Sequence, residues 1–261
     1  MKGKVYVANA FSEKKFGGNP AAVVPLNEWL PDELMQQIAA QNNLPETAYI
    51  IPQGNDYGIR WFTPSVEVNL CGHATLASAH ILFSHLSYDR DHITFHSKSG
   101  PLPVTRNKDG KITLDFPANE PEETNDDGLI ERALGIKPKS VYISRFDYMV
   151  VLGGQSDIEA LNPDLSLVKK LPACGLIVTA KGDEADFVSR CFFPQSGIDE
   201  DPVTGSAHCV TVPYWAKQMG KKKLSAIQLS TRRGYLDCEL VGDRVLMSGH
   251  AHTYMEGDFY Y

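Results

Sequence analysis

Short runs of β-branched residues at the start of the chain alternate with turn residues and one amphipathic segment. Residues 5–8 and 22–24 are predicted strands, because Val and Tyr favour extended backbone and the Gly-Gly-Asn-Pro at 17–20 favours a turn. Pro31 is predicted to open a helix that runs to about Gln41 and places its apolar residues on one face. The chain therefore begins with paired strands followed by a surface helix.

Two later helices are predicted to be buried. The segment from Ala74 to Leu86 is apolar on nearly all sides, and such a helix packs inside a fold. A second segment, from about Ser206 to Gln218, has a similar character, although Pro213 is expected to kink or shorten it. A short helix is predicted at 129–134, and strands at 49–51, 58–63, 94–96, 102–105, 112–116, 140–143, 148–152, 227–229, 235–240, 245–248 and 253–256.

The two halves of the chain carry a weak repeat. An ungapped comparison at an offset of 130 residues aligns six pairs: Asp56 with Asp186, Tyr57 with Phe187, Arg60 with Arg190, Phe62 with Phe192, Pro64 with Pro194 and Ala77 with Ala207. It also makes Asp201 the partner of Cys71. Because this offset is about half of the chain, we expect a duplication with two similar domains and a cleft between them. The acidic segment at 117–127 is the expected linker, which gives domains at 1–117 and 118–261, and the last strand is a candidate for return to the first domain.

Composition and charge argue against several classes of protein. Hydrophobic residues make up 43% of the chain, charged residues 22%, and no run approaches the ~20 apolar residues of a membrane span. The net charge of −7 argues against nucleic acid as a partner. The five cysteines are scattered without a C-x-x-C pair, which indicates neither a zinc site nor a disulfide framework and favours a reducing cytoplasm.

Two loops that lead into the buried helices are candidate binding elements. They are Cys71-Gly72-His73-Ala74-Thr75 and Asp201-Pro202-Val203-Thr204-Gly205-Ser206. A helix N-terminus presents unpaired N–H groups that suit a carboxylate, and glycine permits close approach of the ligand to the backbone. The alternative is a pair of ordinary strand-to-helix turns in which Thr204 or Ser206 only caps a helix.

Glu46 and His73 are the candidates for proton transfer. Glu46 lies between the amphipathic helix and an apolar strand, where partial burial would suit a general base, although most such carboxylates are solvated surface groups. His73 stands at a helix start, where the helix dipole is expected to keep its imidazole neutral. A structural role is the alternative for this histidine, as tight packing in a turn is for Cys71.

Several of these segments together resemble the phenazine biosynthesis-like (PhzF) family, within the diaminopimelate-epimerase-like fold. The resemblance is carried, in the family's order, by Ala10-Phe11, Phe16-Gly17-Gly18-Asn19-Pro20-Ala21-Ala22-Val23, Glu46-Thr47-Ala48, Phe62-Thr63-Pro64, Val66-Glu67-Val68, Cys71-Gly72-His73-Ala74-Thr75-Leu76-Ala77 and Glu200-Asp201-Pro202-Val203-Thr204-Gly205-Ser206-Ala207.

The resemblance implies an α+β fold of two similar domains, each a β-barrel-like sheet around a central helix, related by an approximate twofold axis. It implies a homodimer that needs no metal and no organic cofactor and acts on a small carboxylate. Glu46 matches the family's catalytic acid/base. The residues that match substrate-binding or proton-relay positions are Asn19, Gly72, His73, Asp201, Thr204, Gly205 and Ser206. The reaction best known in the family isomerises trans-2,3-dihydro-3-hydroxyanthranilate by moving a proton from one ring carbon to another.

Two departures from the family pattern leave the substrate open. Asn9 stands where the family often has Asp, and Pro45 stands where Ser commonly precedes the glutamate. Two other functions also stay open. One is a two-base epimerase or racemase in which Cys71 is the second base, and the other is a non-catalytic binding protein with the same fold.

Overall fold

The fold is drawn from a computed structural model that describes residues 1–261. The chain forms two compact units. The first comprises residues 1–115 and 248–261, and the second comprises residues 116–247. The last strand belongs to the first unit because it pairs antiparallel with the first strand along its whole length. No helix has both the length and the apolar character of a membrane span.

The first unit is a mixed sheet with one helix on each face. In sheet order, β18–β1–β2–β3–β4–β6–β7, the pairs β2–β3 and β4–β6 are parallel and the others antiparallel, and β5 pairs with the end of β4. The elements are β1 (Lys2–Ala10), β2 (Asn19–Pro25), α1 (Asp32–Asn42), β3 (Glu46–Gln53), β4 (Asp56–Phe62), β5 (Glu67–Val68), α2 (Gly72–His85), β6 (His92–Ser97), β7 (Gly100–Arg106), β8 (Ile112–Pro117, ending past the unit boundary) and β18 (Ala251–Tyr260).

The second unit repeats this arrangement. In its sheet order, β9–β10–β11–β12–β13–β15–β16, the pairs β11–β12 and β13–β15 are parallel, and β14 pairs with the end of β13. Its elements are β9 (Glu122–Thr124), α3 (Leu129–Leu134), β10 (Ser140–Ile143), β11 (Asp147–Val151), α4 (Gln155–Glu159), α5 (Leu165–Val168), β12 (Gly175–Lys181), β13 (Phe187–Phe193), a 3₁₀ turn (Pro194–Ser196), β14 (Ile198–Asp201), α6 (Gly205–Met219), β15 (Lys223–Gln228), β16 (Gly234–Val241) and β17 (Arg244–Gly249, ending past the unit boundary). The same succession of parallel and antiparallel pairs confirms the predicted duplication.

The predicted partner of Cys71 is wrong. The helices α2 and α6 begin at Gly72 and Gly205, an offset of 133 (205 minus 72), so Cys71 corresponds to Thr204 and not to Asp201. The three additional residues follow Pro194, where the second unit inserts its 3₁₀ turn before β14. An ungapped comparison carries the offset of 130 past this insertion and therefore misaligns everything after it.

A pair of arginine forks supports the corrected alignment. Arg60 donates to both carboxylate oxygens of Glu67 at 2.7 and 2.8 Å. Arg190 does the same with Glu200 at 2.7 and 2.9 Å. Bidentate pairs of this kind fix geometry as well as charge. In each unit the fork ties β4 or β13 to the short strand that leads into the buried helix.

The helices α2 and α6 are buried along most of their length, as predicted. α6 runs unbroken through Pro213, so the proline does not shorten it. A helical proline has no N–H to donate to the carbonyl four residues earlier, here that of Cys209. The backbone N–H of Asn119 donates to that carbonyl at 2.9 Å instead. The carbonyl that the proline leaves without its helical partner is thus satisfied from outside the helix.

The two faces of each sheet differ in what they pack against. In the second unit Val150, Leu176 and Val178 belong to one apolar cluster together with residues of α3, α4 and α5. The alternate residues face α6, since the Trp215 indole donates to the Thr179 hydroxyl at 2.9 Å. The strands β12 and β13 and the helices α4 and α5 were not predicted individually. α4 and α5 are only five and four residues long, too short for a helical period to be recognised.

Candidate active site

Glu46 is the first residue of β3 and is buried, with 9% of its surface exposed. It pairs with Ala21 on β2, and its side chain lies on the face of the sheet that carries α2, opposite the cluster formed with α1. The predicted partial burial is confirmed. Glu46 is therefore not one of the solvated carboxylates that this kind of position usually holds.

Three polar side chains lie near Glu46: His73 is next to its carboxylate, and Asn19 and Cys71 contact the His73 ring. The Glu46 Oε2 atom lies 3.0 Å from Nε2 of His73, the second residue of α2. The other ring nitrogen, Nδ1, lies 3.1 Å from Nδ2 of Asn19 and 3.5 Å from Sγ of Cys71. Glu46 and His73 lie at charge-pairing distance, but their orientation is not that of a hydrogen bond. The first unit thus brings together four residues that the sequence analysis had named.

The turn before β2 positions Asn19. Gly18 has φ of +65°, and a Cβ atom there would lie 2.2 Å from the carbonyl oxygen of Ala10. Only glycine fits this backbone without strain. The amide of Asn19 is consequently held inside the unit, fully buried, where it meets the imidazole of His73. The Asn19 amide suits either protonation state of that ring, because a 180° rotation of the amide group presents its oxygen, an acceptor, in place of its nitrogen, a donor.

The electrostatics of the site favour a charged His73. Burial disfavours the imidazolium, but the neighbouring Cys71 and Glu46 outweigh it and raise the pKa of His73 well above 6.5. Burial, followed by the charge of Glu46, raises the pKa of the Cys71 thiol to about 11. This direction is opposite to the expected neutral histidine, because Cys71 and Glu46 together outweigh the burial of the ring.

Glu46, Cys71 and His73 are also the one group of side chains that could bind a metal ion, with ligand atoms within 4.8 Å of one another. Their arrangement fits a metal poorly. Cys71 lies next to Nδ1 of His73, and Glu46 lies next to Nε2. The lone pairs of these two nitrogens point in different directions from the ring. A single ion bound to one ring nitrogen would not reach both other ligands at the ~2 Å that zinc requires.

The predicted residues of the second unit form a separate network. The Thr204 hydroxyl donates to Asp201 Oδ2 at 2.6 Å, and the Thr204 N–H donates to Gln228 Oε1 at 2.8 Å. The Gln228 amide also donates to the Asp201 carbonyl at 2.7 Å. Gln228 is fully buried and was missed, although a glutamine between Ile227 and Leu229 in a predicted strand was a visible signal.

Neither buried helix is capped by a side chain. Cys71 and Thr204 occupy the positions before α2 and α6, and neither makes a capping hydrogen bond. The reading of Thr204 as a mere cap is therefore wrong, because its hydroxyl is used by Asp201. Ser206 is exposed in the first turn of α6, next to the buried Gly205. Both helix starts keep N–H groups of the kind that bind anions.

One buried carboxyl group was missed entirely. Asp147 begins β11, is 6% exposed, and its Oδ1 atom has no hydrogen-bond partner. Burial alone raises the pKa of Asp147 to about 6. It precedes a strand without any flanking motif, so nothing in the sequence separates it from a surface aspartate.

We expect Asp147→Asn to stabilise the protein above pH 6. The native state holds the Asp147 proton more tightly than the unfolded chain does, so stability falls as pH rises from about 4 to about 6 and stays reduced above that range. Removing the charge should therefore raise the free energy of unfolding at pH 8 by about 2 kcal/mol and change it little at pH 4. Urea unfolding at both pH values measures this, with the exposed Asp199→Asn, expected within about 0.5 kcal/mol of wild type, as control. Equal gains at both pH values would contradict the assignment.

Comparison with known proteins agrees with this geometry. The sequence model of the family described as phenazine biosynthesis-like protein matches residues 8–257. An uncharacterized isomerase of Pseudomonas aeruginosa is 49% identical over 251 residues, 96% of each chain. A crystal structure of a phenazine biosynthesis protein of the PhzF family from Enterococcus faecalis superposes with a TM-score of 0.97 at 45% identity, over the full length of both chains.

A more distant structure shares the fold alone. A hydroxyproline epimerase from Agrobacterium vitis superposes with a TM-score of 0.62 at 8% identity, covering 98% of this chain and 92% of the epimerase. The predicted relation to the epimerase-like fold is confirmed by this similarity. At so low an identity, it carries no information on substrate or catalytic residues.

Proposed function

Because this chain belongs to the phenazine biosynthesis-like (PhzF) family, we propose that it is a cofactor-independent isomerase that moves a proton between carbons of a small unsaturated carboxylic acid. Glu46 is the acid/base group in this proposal. The observation that carries it is the buried contact of 3.0 Å between Glu46 and His73 at the start of α2. Buried titratable groups that lie against a specific charge partner are common at functional sites.

The contacts of the site assign a role to each group. The Glu46 carboxylate takes a proton from a substrate carbon, and the electron pair of the broken C–H bond moves into the conjugated system of the substrate. Glu46 then returns the proton to another carbon, so charge and atoms balance without a co-reactant. His73, whose Nε2 atom lies 3.0 Å from the Glu46 carboxylate, is the charge-pairing partner of that carboxylate. The uncapped start of α2 supplies N–H dipoles for the charge that develops on the substrate.

Substrate conjugation is required by this mechanism. No group in the chain acts as an electron sink for the carbanion, so the substrate itself must delocalise the charge. A dihydroaromatic acid meets this requirement, whereas a simple amino acid meets it poorly. Asn19, Gly72, Asp201, Thr204, Gly205 and Ser206 are proposed to bind the substrate, on the strength of their match to the family's positions.

The position of solvent deuterium in the product tests the reaction type. In D2O, trans-2,3-dihydro-3-hydroxyanthranilate and related dihydroaromatic acids should acquire deuterium at a new carbon together with a shifted double bond, which NMR detects. Deuterium at a stereocentre with the double bonds unchanged would instead identify an epimerase.

Cys71→Ser is expected to reduce turnover only modestly, by less than about tenfold. The thiol is buried, and its raised pKa makes it a poor base at neutral pH. Steady-state kinetics of the variant, compared with wild type, provide the measurement. Near-complete loss of turnover with an intact fold would support a two-base epimerase in which Cys71 is one of the bases.

Chelation is expected to leave activity unchanged. The poor fit of the Glu46, Cys71 and His73 set to a single ion supports this, as does the absence from the sequence of a phosphate loop or dinucleotide fingerprint. Turnover before and after exhaustive dialysis against a chelator measures the effect. Lost activity that one added metal restores would refute cofactor independence. The homodimer, the cytoplasmic location and the lack of nucleic-acid partners stay predictions.

A further inference from the structure

The second unit carries a carboxyl group at the place that corresponds to the Glu46 site. In the first unit Glu46 begins β3 and pairs with Ala21 on the parallel strand β2. In the second unit Gly175 begins β12 and pairs with Asp147 on the parallel strand β11. A side chain is not possible at Gly175, since a Cβ atom would lie 2.2 Å from the ring of Phe193. The carboxyl group is thus carried by the neighbouring strand.

The alternation of side chains places Asp147 on the α6 side of the sheet. Val150 and Leu152 point to the opposite cluster, with α3, α4 and α5. On the α6 side, Asp147 pairs with Gly175 on β12, and Ile177, two residues further along β12, pairs with Cys191 on β13. Cys191 pairs with Asp201 on β14, the strand that leads into α6. Asp147 therefore lies toward the end of the sheet at which α6 begins.

No residue of the protein satisfies this carboxyl group. The Asp147 Oδ1 atom is buried without a hydrogen-bond partner, and no cation pairs with the side chain. The titratable groups on this side are Cys191, Asp201, Glu200 and His208. Glu200 is held by Arg190, and burial lowers the pKa of His208 to about 4, so His208 is uncharged at pH 7. A buried acceptor without a donor is costly, and a functional role is one of the reasons for which such a group is kept in a native structure.

We propose that Asp147 accepts a hydrogen bond from an amino or hydroxyl group of the ligand, on the α6 side of the second unit. The inference rests on the proposed function in one respect: the ligand is the isomerase substrate. That substrate is then a small carboxylic acid with an N–H or O–H substituent. Asp147 selects for the substituent, while the exposed first turn of α6 offers N–H groups to an anionic group.

Two aromatic probes that differ in one substituent test this inference. Anthranilate has an amino group beside its carboxylate, and benzoate has none. Without ligand, the pKa of Asp147 is about 6. We expect anthranilate in excess to lower this pKa, because a hydrogen-bond donor stabilises the ionised carboxylate. Benzoate should leave the pKa unchanged. The ¹³Cγ resonance of Asp147 followed over pH reports this directly. An Asp147 titration that anthranilate leaves unchanged contradicts the proposal.

Variants supply the second readout. Wild type should bind anthranilate more tightly than benzoate by about tenfold or more at pH 7, and Asp147→Asn should lose most of that preference. Asp199→Asn, an exposed carboxyl group of the same unit, should keep it. A preference retained in Asp147→Asn overturns the proposal. Glu46→Gln should preserve the preference for anthranilate over benzoate. Normal turnover in Glu46→Gln would therefore contradict the proposed function and leave the test of Asp147 valid.

Discussion

Glu46→Gln is expected to lower turnover by about 100-fold or more, the range for lost general acid–base catalysis. Glutamine keeps the size of the side chain and can still accept a hydrogen bond, but it cannot take a proton from carbon. The folded state and ligand binding should survive, because the contacts of His73 with Asn19 and Cys71 remain in the variant. Steady-state turnover together with thermal unfolding and probe binding separates lost chemistry from lost structure.

The matched control is Asp147, the buried carboxyl group at the corresponding place in the second unit. Asp147→Asn removes one negative charge from an equally buried carboxyl group, so it reproduces the electrostatic change without removing the proposed base. Its effect should appear mainly in ligand affinity. A Glu46→Gln variant that retains wild-type turnover would identify Glu46 as a structural carboxylate.

The second large effect concerns the protonation of His73. In the wild type the neighbouring Cys71 and Glu46 together raise the pKa of His73 well above 6.5 although the ring is buried. In Glu46→Gln the carboxylate is lost while the burial remains, so the pKa of His73 should fall. Imidazole ¹⁵N resonances, assigned through His73→Gln, measure the titration in both proteins. An unchanged His73 titration would show that the contact of 3.0 Å does not determine the charge of the ring.

The same shift predicts how stability depends on pH. A histidine whose pKa is raised by folding stabilises the protein fully below its unfolded pKa of about 6.5, and this contribution is lost as pH rises through the folded pKa. The stability advantage of wild type over Glu46→Gln should therefore be larger at pH 6 than at alkaline pH. Urea unfolding across this range measures the difference.

The sequence allowed the first-unit site to be predicted because its residues lie in short local motifs. Glu46 precedes a strand, His73 opens an apolar helix, and Asn19 follows the glycine pair of a turn. Each of these local signals has a physical cause that acts within a few residues. Their assembly was predicted from the family resemblance, and the fold then brings their side chains together.

The sequence analysis failed where the answer depends on distant residues. The pKa of His73 depends in part on Glu46, 27 positions away in the sequence, whereas the helix dipole alone predicts a shift in the opposite direction. The predicted alignment of the two halves is wrong beyond Pro194, because a 3₁₀ turn adds three residues to the second unit there. Asp147 was missed because its burial and its missing partner depend on the packing of β11 between β10 and β12.

The exchange of carbon-bound hydrogen with solvent tests the central claim most directly, because it reports proton removal by Glu46 even when net conversion is slow. Wild type and Glu46→Gln are incubated in D2O with trans-2,3-dihydro-3-hydroxyanthranilate, and deuterium on carbon is followed by NMR. The account predicts exchange by wild type and a rate reduced by about 100-fold or more in Glu46→Gln. Exchange by folded Glu46→Gln at the wild-type rate would contradict it.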